Sequence, residues 1–146
     1  MHFSGTLDIA APRERVWEFL IDPNKVGSCG PGVQSIESVD ADHFNMKAKV
    51  GVGFISATFQ VRCEFIERTD RERARISARG NAPGSAVDAV GQMSLRDNKT
   101  GGTIMDWEAT VNISGTLASV GARLIEGTAN KLIGQTFSCI KTKLEA

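Results

Sequence analysis

LASVGARLIEGTANKLIGQTFSCIKTKL, residues 117–144, is the longest stretch of the chain with a helical repeat. Ala118, Ala122, Ile125, Ala129, Leu132, Thr136 and Ile140 share one face, and Arg123, Gly127, Asn130, Lys131, Gly134, Ser138 and Lys141 share the other. That period predicts one helix from Leu117 to about Leu144, roughly 40 Å long at 1.5 Å per residue. Four of the seven inward positions are Ala or Thr. The helix therefore either lies close to what it covers or leaves space beneath it.

What it covers is written in the residues before it, where the period is two. HFNMKAKV (43–50) sets Phe44, Met46, Ala48 and Val50 against Asn45, Lys47 and Lys49. FISATFQVRCEFIER (54–68) continues with Ile55, Ala57, Phe59, Val61, Cys63 and Phe65 on one face. VQSIESV (33–39), RARISARG (73–80), SAVDAVGQMSLRD (85–97) and TIMDWEATVNISG (103–115) read the same way, with turn residues at 40–42, 80–85 and 97–102. At the start, Phe3, Leu7 and Ile9 alternate with polar neighbours as a further strand, and APRERVWEFLIDP (11–23) changes to helical spacing and stops before Pro23. The order is strand, one or two short helices, six strands, long helix. A one-faced antiparallel sheet must cover its apolar side, and the terminal helix is the element long enough to do so. The expected fold is α+β: residues 1–146 as one domain, a curved seven-stranded antiparallel sheet around the C-terminal helix.

Composition excludes several functions. The 17 basic and 17 acidic residues balance, which gives no electrostatic support for nucleic-acid binding. The three cysteines, at 29, 63 and 139, are odd in number and lack Cys-x-x-Cys spacing. This argues against a disulfide framework or a metal site and for a reducing compartment. The N-terminus lacks a leader pattern, and no run approaches the ~20 apolar residues of a membrane span, so a cytoplasmic location is expected.

The segments CGPGVQSIE (29–37), KVGVGFISATFQ (49–60) and GARLIEGTANKLIGQTF (121–137) resemble the CoxG family, the G subunits of carbon monoxide dehydrogenase, within the helix-grip superfamily of START domains, polyketide cyclases and the birch pollen allergen. The resemblance implies a non-catalytic accessory of a molybdenum-type carbon monoxide dehydrogenase, or of a related hydroxylase, that helps couple it to the membrane and its quinone pool. It implies dehydrogenase subunits as partners and a peripheral position at the inner face of the cell membrane.

The residues themselves offer little for catalysis. Cys29 stands in Cys-Gly-Pro-Gly, where Gly32 replaces the second thiol of a redox motif, and neither His2 nor His43 is placed to serve as its base. The reading is a turn, Cys29, Gly30, Pro31 and Gly32, which in the helix-grip superfamily borders the cavity mouth. Gly51-Val52-Gly53 lacks the third glycine and following helix of a phosphate loop. The inward faces contain no Asp, Glu, His, Lys or Tyr, so no catalytic residue, cofactor or metal is expected. What remains is an apolar container or an ordinary core, which the residues alone leave open; the superfamily favours the container. Its expected lining is Phe44, Met46, Ala57, Phe59, Ala89, Met93, Met105 and Trp107 from the sheet and Ala122, Ile125, Ala129 and Leu132 from the helix, around an isoprenoid quinone or lipid. The alternatives are a polyketide cyclase-like enzyme and a general carrier of lipids or aromatic molecules.

Overall fold

The computed structural model describes residues 1–146. Strand β1 (His2–Ile9) leads through helices α1 (Arg13–Leu20) and α2 (Pro23–Gly27) to strands β2 (Val33–Ser38), β3 (His43–Val52), β4 (Ile55–Thr69), β5 (Arg73–Ala82), β6 (Ser85–Asp97) and β7 (Thr103–Gly115). A 3-10 turn (Thr116–Val120) and helix α3 (Ala122–Glu145) complete the chain. The strands form one antiparallel sheet in the order β1-β7-β6-β5-β4-β3-β2. Each neighbour from β2 to β7 follows its predecessor by a hairpin, whereas β1 pairs with β7, His2 opposite Thr110 and Ile9 opposite Thr103. Helices α1 and α2 therefore carry the chain from one sheet edge to the other. This is the sheet with a covering terminal helix that the alternation predicts, in the helix-grip order that the resemblance implies.

Local chemistry accounts for the joints. Pro23 occupies the first position of α2, and the Asp22 carboxylate caps that helix by accepting the amides of Asn24 at 3.0 Å and Lys25 at 3.4 Å. The Gly-Pro-Gly turn then swings the chain into β2. Gly32 adopts φ +80°, its carbonyl accepts the Lys49 amide at 2.9 Å, and a Cβ there would collide with the Lys49 carbonyl.

One expectation shifts. The terminal helix starts at Ala122 rather than Leu117, because the chain makes a 3-10 turn and then passes through Gly121 at φ +101°. Its 24 residues span about 36 Å, and Ala122, expected inward, is exposed at its first turn. Strand β4 carries a bulge between Phe65 and Glu67, at the exposed Ile66.

The cysteine expectation is overturned. Cys29 and Cys139 form a disulfide, with Cα atoms 5.4 Å apart and a sequence separation of 110. Spacing rules detect local frameworks, whereas this pair meets because the second half of α3 folds over the loop after α2. The step from unpaired thiols to a reducing compartment therefore loses its basis. Lys143 adds a bond across the same joint, from Nζ to the Ser28 hydroxyl at 2.7 Å.

The interior has two apolar clusters. The larger joins Ile9, Ala11, Val16, Trp17, Cys29, Ala74, Leu95, Met105, Ile140 and Leu144, where α1 and the last turns of α3 meet the sheet. Thr103 is fully buried beside it and donates its hydroxyl to the Ala11 carbonyl at 2.8 Å, so burial leaves no unpaired polar group there. The smaller cluster, Val52, Phe59, Leu117 and Ile125, lies at the other end, under the first turns of α3.

Candidate ligand-binding cavity

Around the smaller cluster the sheet and α3 do not close on each other. The inward residues of β3 at this end are Met46, Ala48, Val50 and Val52; β4 supplies Phe59 and Val61, β5 Ala78 and Gly80, β6 Val87 and β7 Ile113. Leu117 of the 3-10 turn and Ile125, Thr128, Ala129 and Leu132 of α3 form the roof. They line a partly open cavity of about 270 Å³. The space exists because of side-chain size: Ala48, Ala78 and Gly80 on the sheet lie beneath Thr128 and Ala129, and none is long enough to fill the gap. Thirteen of the fifteen lining residues are hydrophobic; the other two are Gly80 and Thr128, which has the single side-chain hydroxyl. Such a wall excludes charged solutes and leaves one hydrogen-bonding group to orient a ligand.

Larger hollows lie on the surface. The largest, about 630 Å³, is a trough on the outer face of the sheet lined by His43, Arg62, Glu64, Arg79 and Asp88 among others. Its charges are exposed and its floor is the polar side of the strands, so it lacks the apolar lining that holds a hydrophobic molecule.

The sequence-predicted lining divides. Met46, Phe59, Ile125, Ala129 and Leu132 are in the wall. Phe44 is buried beyond it, its ring 6.0 Å from that of Phe65. Ala57 packs beside the smaller cluster without reaching the cavity. Ala89 lies on the inner face opposite Ala78 but is not part of the cavity wall. Met105 is buried in the larger cluster, with Met93 and Trp107 packed against it; Trp107 meets Phe137 edge-on with centroids 4.9 Å apart. Ala122 is in solvent. These seven share the predicted faces but lie at the wrong height along them. Alternation identifies a face; it does not say which part of that face large residues of the opposing helix fill. The residues missed, Ala48, Val50, Val52, Val61, Ala78, Gly80, Val87, Ile113, Leu117 and Thr128, are on the same faces. The signal that could have found them was the small residue at Gly80, flanked by Ala78 and opposite the helix's own small positions.

The loop Cys29–Gly32 contributes no residue to the wall. It packs on β3 at Lys49, between the wall residues Ala48 and Val50. Cys29 is buried and spent in the disulfide, which removes it as a nucleophile while the bond stands. The remaining thiol, Cys63, has its pKa pushed up to about 11 by burial, so it is protonated and unreactive at neutral pH. The histidines lie outside the cavity. His43 bonds to Asp40 at 2.8 Å, which raises the histidine pKa and lowers that of the carboxylate. His2 lies near Thr110 and Glu108 on the outer face. No group of three or more His, Cys, Asp or Glu side chains is arranged to hold a metal ion. No titratable side chain lines the cavity, so its own residues can hold and orient a molecule but have no acid or base to offer it.

The sequence profile of the G subunit of carbon monoxide dehydrogenase (CoxG) matches residues 5–145. No curated protein matches the chain. Among solved structures, a conserved protein from Geobacillus kaustophilus superposes with a TM-score of 0.91 at 21% identity, covering 99% of this chain and 95% of that one. A START superfamily protein from Mycobacterium smegmatis gives 0.72 at 11% identity, over 99% and 97% of the two chains. An aromatase/cyclase from Streptomyces sp. R1128 gives 0.67 at 16%, over 99% and 93%. At these identities the likeness is one of fold.

Proposed function

The chain belongs to the CoxG family of carbon monoxide dehydrogenase, and we propose that within it the protein is a non-catalytic carrier of one apolar molecule, an isoprenoid quinone or a lipid, held under α3. In this reading it serves a molybdenum-type carbon monoxide dehydrogenase or a related hydroxylase and helps couple that enzyme to the membrane. The observation that carries the proposal is the cavity wall, hydrophobic in all but Gly80 and Thr128. Its volume of about 270 Å³ exceeds the ~150 Å³ that accommodates a single benzene ring in an apolar protein interior. It suits a quinone ring with the first part of a prenyl chain, and the Thr128 hydroxyl supplies a donor for one carbonyl. A cyclase-like reading has the fold in its favour but needs an acid or base facing the substrate, and the wall contains neither.

The test is mass spectrometry of organic extracts from gently purified protein, wild type beside Ala129→Trp, with thermal denaturation of both. Support is a quinone or lipid bound to wild type and lost from a variant of near-wild-type stability, because the indole fills the ligand's space. The carrier reading fails if wild type carries nothing, does not bind added decylubiquinone, and loses much of its stability on the substitution.

A further inference from the structure

The sheet is open, and its two edges differ. At one edge β2 is six residues long, its register shifts between Val33 and Ser35, and α2 packs on it at Ile36. Breaks and covers of this kind keep a foreign strand from adding to an edge. At the other edge β1 has neither. It pairs with β7 over eight consecutive residues with no shift, and it contains no proline and no lysine. The Met1 ammonium donates to the Val111 carbonyl at 2.8 Å, and the Val111 amide donates to the Met1 carbonyl at 2.9 Å. In an antiparallel ladder this fixes the alternation: Phe3, Gly5, Leu7 and Ile9 turn their backbone groups to β7, whereas His2, Ser4, Thr6 and Asp8 turn theirs outward. All four outward residues are exposed.

Nor does α3 close over this strand. Between them runs a groove of about 440 Å³, with residues 2–7 along one side and Glu126, Asn130, Ile133, Gly134 and Phe137 along the other. Trp107 also lines it, and its indole lies over Gly5, where a Cβ would come within 2.9 Å of the ring. The glycine thus lets an aromatic surface reach the margin of the sheet. Turned end for end, HFSGTLDI (2–9) matches itself about that glycine. His2 falls opposite Asp8, Ser4 opposite Thr6, Phe3 opposite Leu7 and Gly5 opposite Gly5. A base meets an acid, hydroxyls meet hydroxyls, and large apolar side chains meet on the inner face. Sliding the register by two residues in either direction takes His2 and Asp8 off each other.

We propose that two copies of the chain pair edge to edge through β1, antiparallel about a two-fold axis at Gly5, so that their sheets run on as one. A two-fold contact has to be complementary to itself, and this strand is so in charge, in side-chain size and in the phase of its outward backbone groups. The pairs His2–Asp8 and Ser4–Thr6 each occur twice about the axis and exchange two backbone bonds apiece, which takes up the amides and carbonyls that the single copy leaves to water. The His2 ring, 57% exposed and 3.7 Å from Glu108, turns to the partner's Asp8. The Oδ1 of Asp8 accepts from Asn98 at 2.9 Å, which leaves Oδ2 for the imidazole. On the inner face the two grooves merge, and the Trp107 rings approach each other across the paired glycines. No residue of β1 lines the cavity, so the pairing does not rest on the carrier reading.

The experiment is sedimentation velocity of the full chain over a dilution series. Wild type should pass from dimer to monomer as it is diluted. Thr6→Pro removes an outward amide and none of the bonds to β7, and proline is tolerated on an edge strand; it should weaken dimerisation at least tenfold while the circular dichroism stays that of wild type. His2→Asp sets carboxylates opposite each other and should weaken it too. Adding Asp8→Lys to His2→Asp should restore the dimer by exchanging the charges, a rescue that damage to the fold would not give. Trp17 is buried, so a blue shift of the emission on dimer formation reports Trp107. The proposal is overturned if wild type is monomeric throughout the series, if folded Thr6→Pro dimerises as well as wild type, or if the charge exchange restores nothing. A monomer that yields a bound quinone would end this proposal alone. A dimer that obeys these variants but carries nothing would end the carrier reading alone.

Discussion

Beneath the last turns of α3, Trp17, Met105, Ile140 and Leu144 fill the space between helix and sheet; beneath its first turns, Thr128 and Ala129 face Ala48, Ala78 and Gly80 across a cavity. The strands are the same strands and the inward faces equally apolar. The difference lies in what covers them. One half receives α1 and a disulfide as well as α3, with a tryptophan inserted between the layers. The other receives one helix whose facing side chains are short. Hydrophobic pattern alone therefore specifies that a surface is to be covered, and side-chain volume decides whether the cover becomes core or container.

The sharpest way to break this contrast is to remove the tryptophan. Trp17→Ala should cost about 3–5 kcal/mol in urea denaturation, the range for large-to-small changes at buried sites. Leu132→Ala, a partly exposed wall residue, should cost less. Equal losses would mean that the two halves do not differ in packing. Next comes the covalent joint. A disulfide between residues 110 apart restricts the unfolded chain strongly, so Cys139→Ser should lower stability by about 2–4 kcal/mol. An unchanged urea midpoint, with wild type oxidised and the variant beside it, would mean that the joint adds nothing.

A smaller effect sharpens the comparison by adding volume. Ala74 is buried in the filled half and Ala129 roofs the cavity. Ala74→Leu should destabilise by about 1–3 kcal/mol through overpacking, whereas Ala129→Leu should be close to neutral. Similar melting temperatures for the two variants would contradict the map of filled and hollow space.

The smallest effect lies outside both halves. His43 is held above its ordinary value of 6.5, first by its hydrogen bond to Asp40. Its contribution to stability is therefore complete below about pH 6.5 and is lost as pH rises through the raised value. Asp40, lowered chiefly by the same bond, contributes above its ordinary value and loses that contribution as pH falls through the lowered one. Both groups are exposed and screened by solvent. His43→Gln should remove a shallow decline in melting temperature between about pH 6 and 8 and leave ligand binding unchanged. A steeper decline in the variant would reverse the sign argued here.

The strands were legible because alternation is a local signal: Phe44, Met46, Ala48 and Val50 declare their face within eight residues. The first short helix was legible from Pro12, Pro23 and the helical spacing between them, whereas the second begins at Pro23 itself, where the helix was expected to stop. The bulge at Ile66 was not, since one extra residue in a long apolar run leaves the composition intact. Gly121 was read through rather than as a start because the residues on both sides keep the helical spacing. The family could be read from three segments spread along the chain. The cavity could be read only as a face, and Met93, Met105 and Trp107 were assigned to it because nothing near them in sequence records that Phe137 and Ile140 fill that space. Cys29 and Cys139 had no local signal at all; their pairing follows from the closure of the whole fold.

That closure also turns part of the chain into a ring. Everything from β2 to β7 lies between Cys29 and Cys139, while β1, α1, α2 and the last residues of α3 lie outside it. Tension applied to the two ends would pass through the sulfur atoms and bypass the six ringed strands. It could peel β1 from β7 and straighten the helices at the margins, but the walls of the cavity, from Met46 through Leu132, would carry none of the load until the bond was reduced. A protein pulled by its two ends would thus yield first at its edges and keep its container whole.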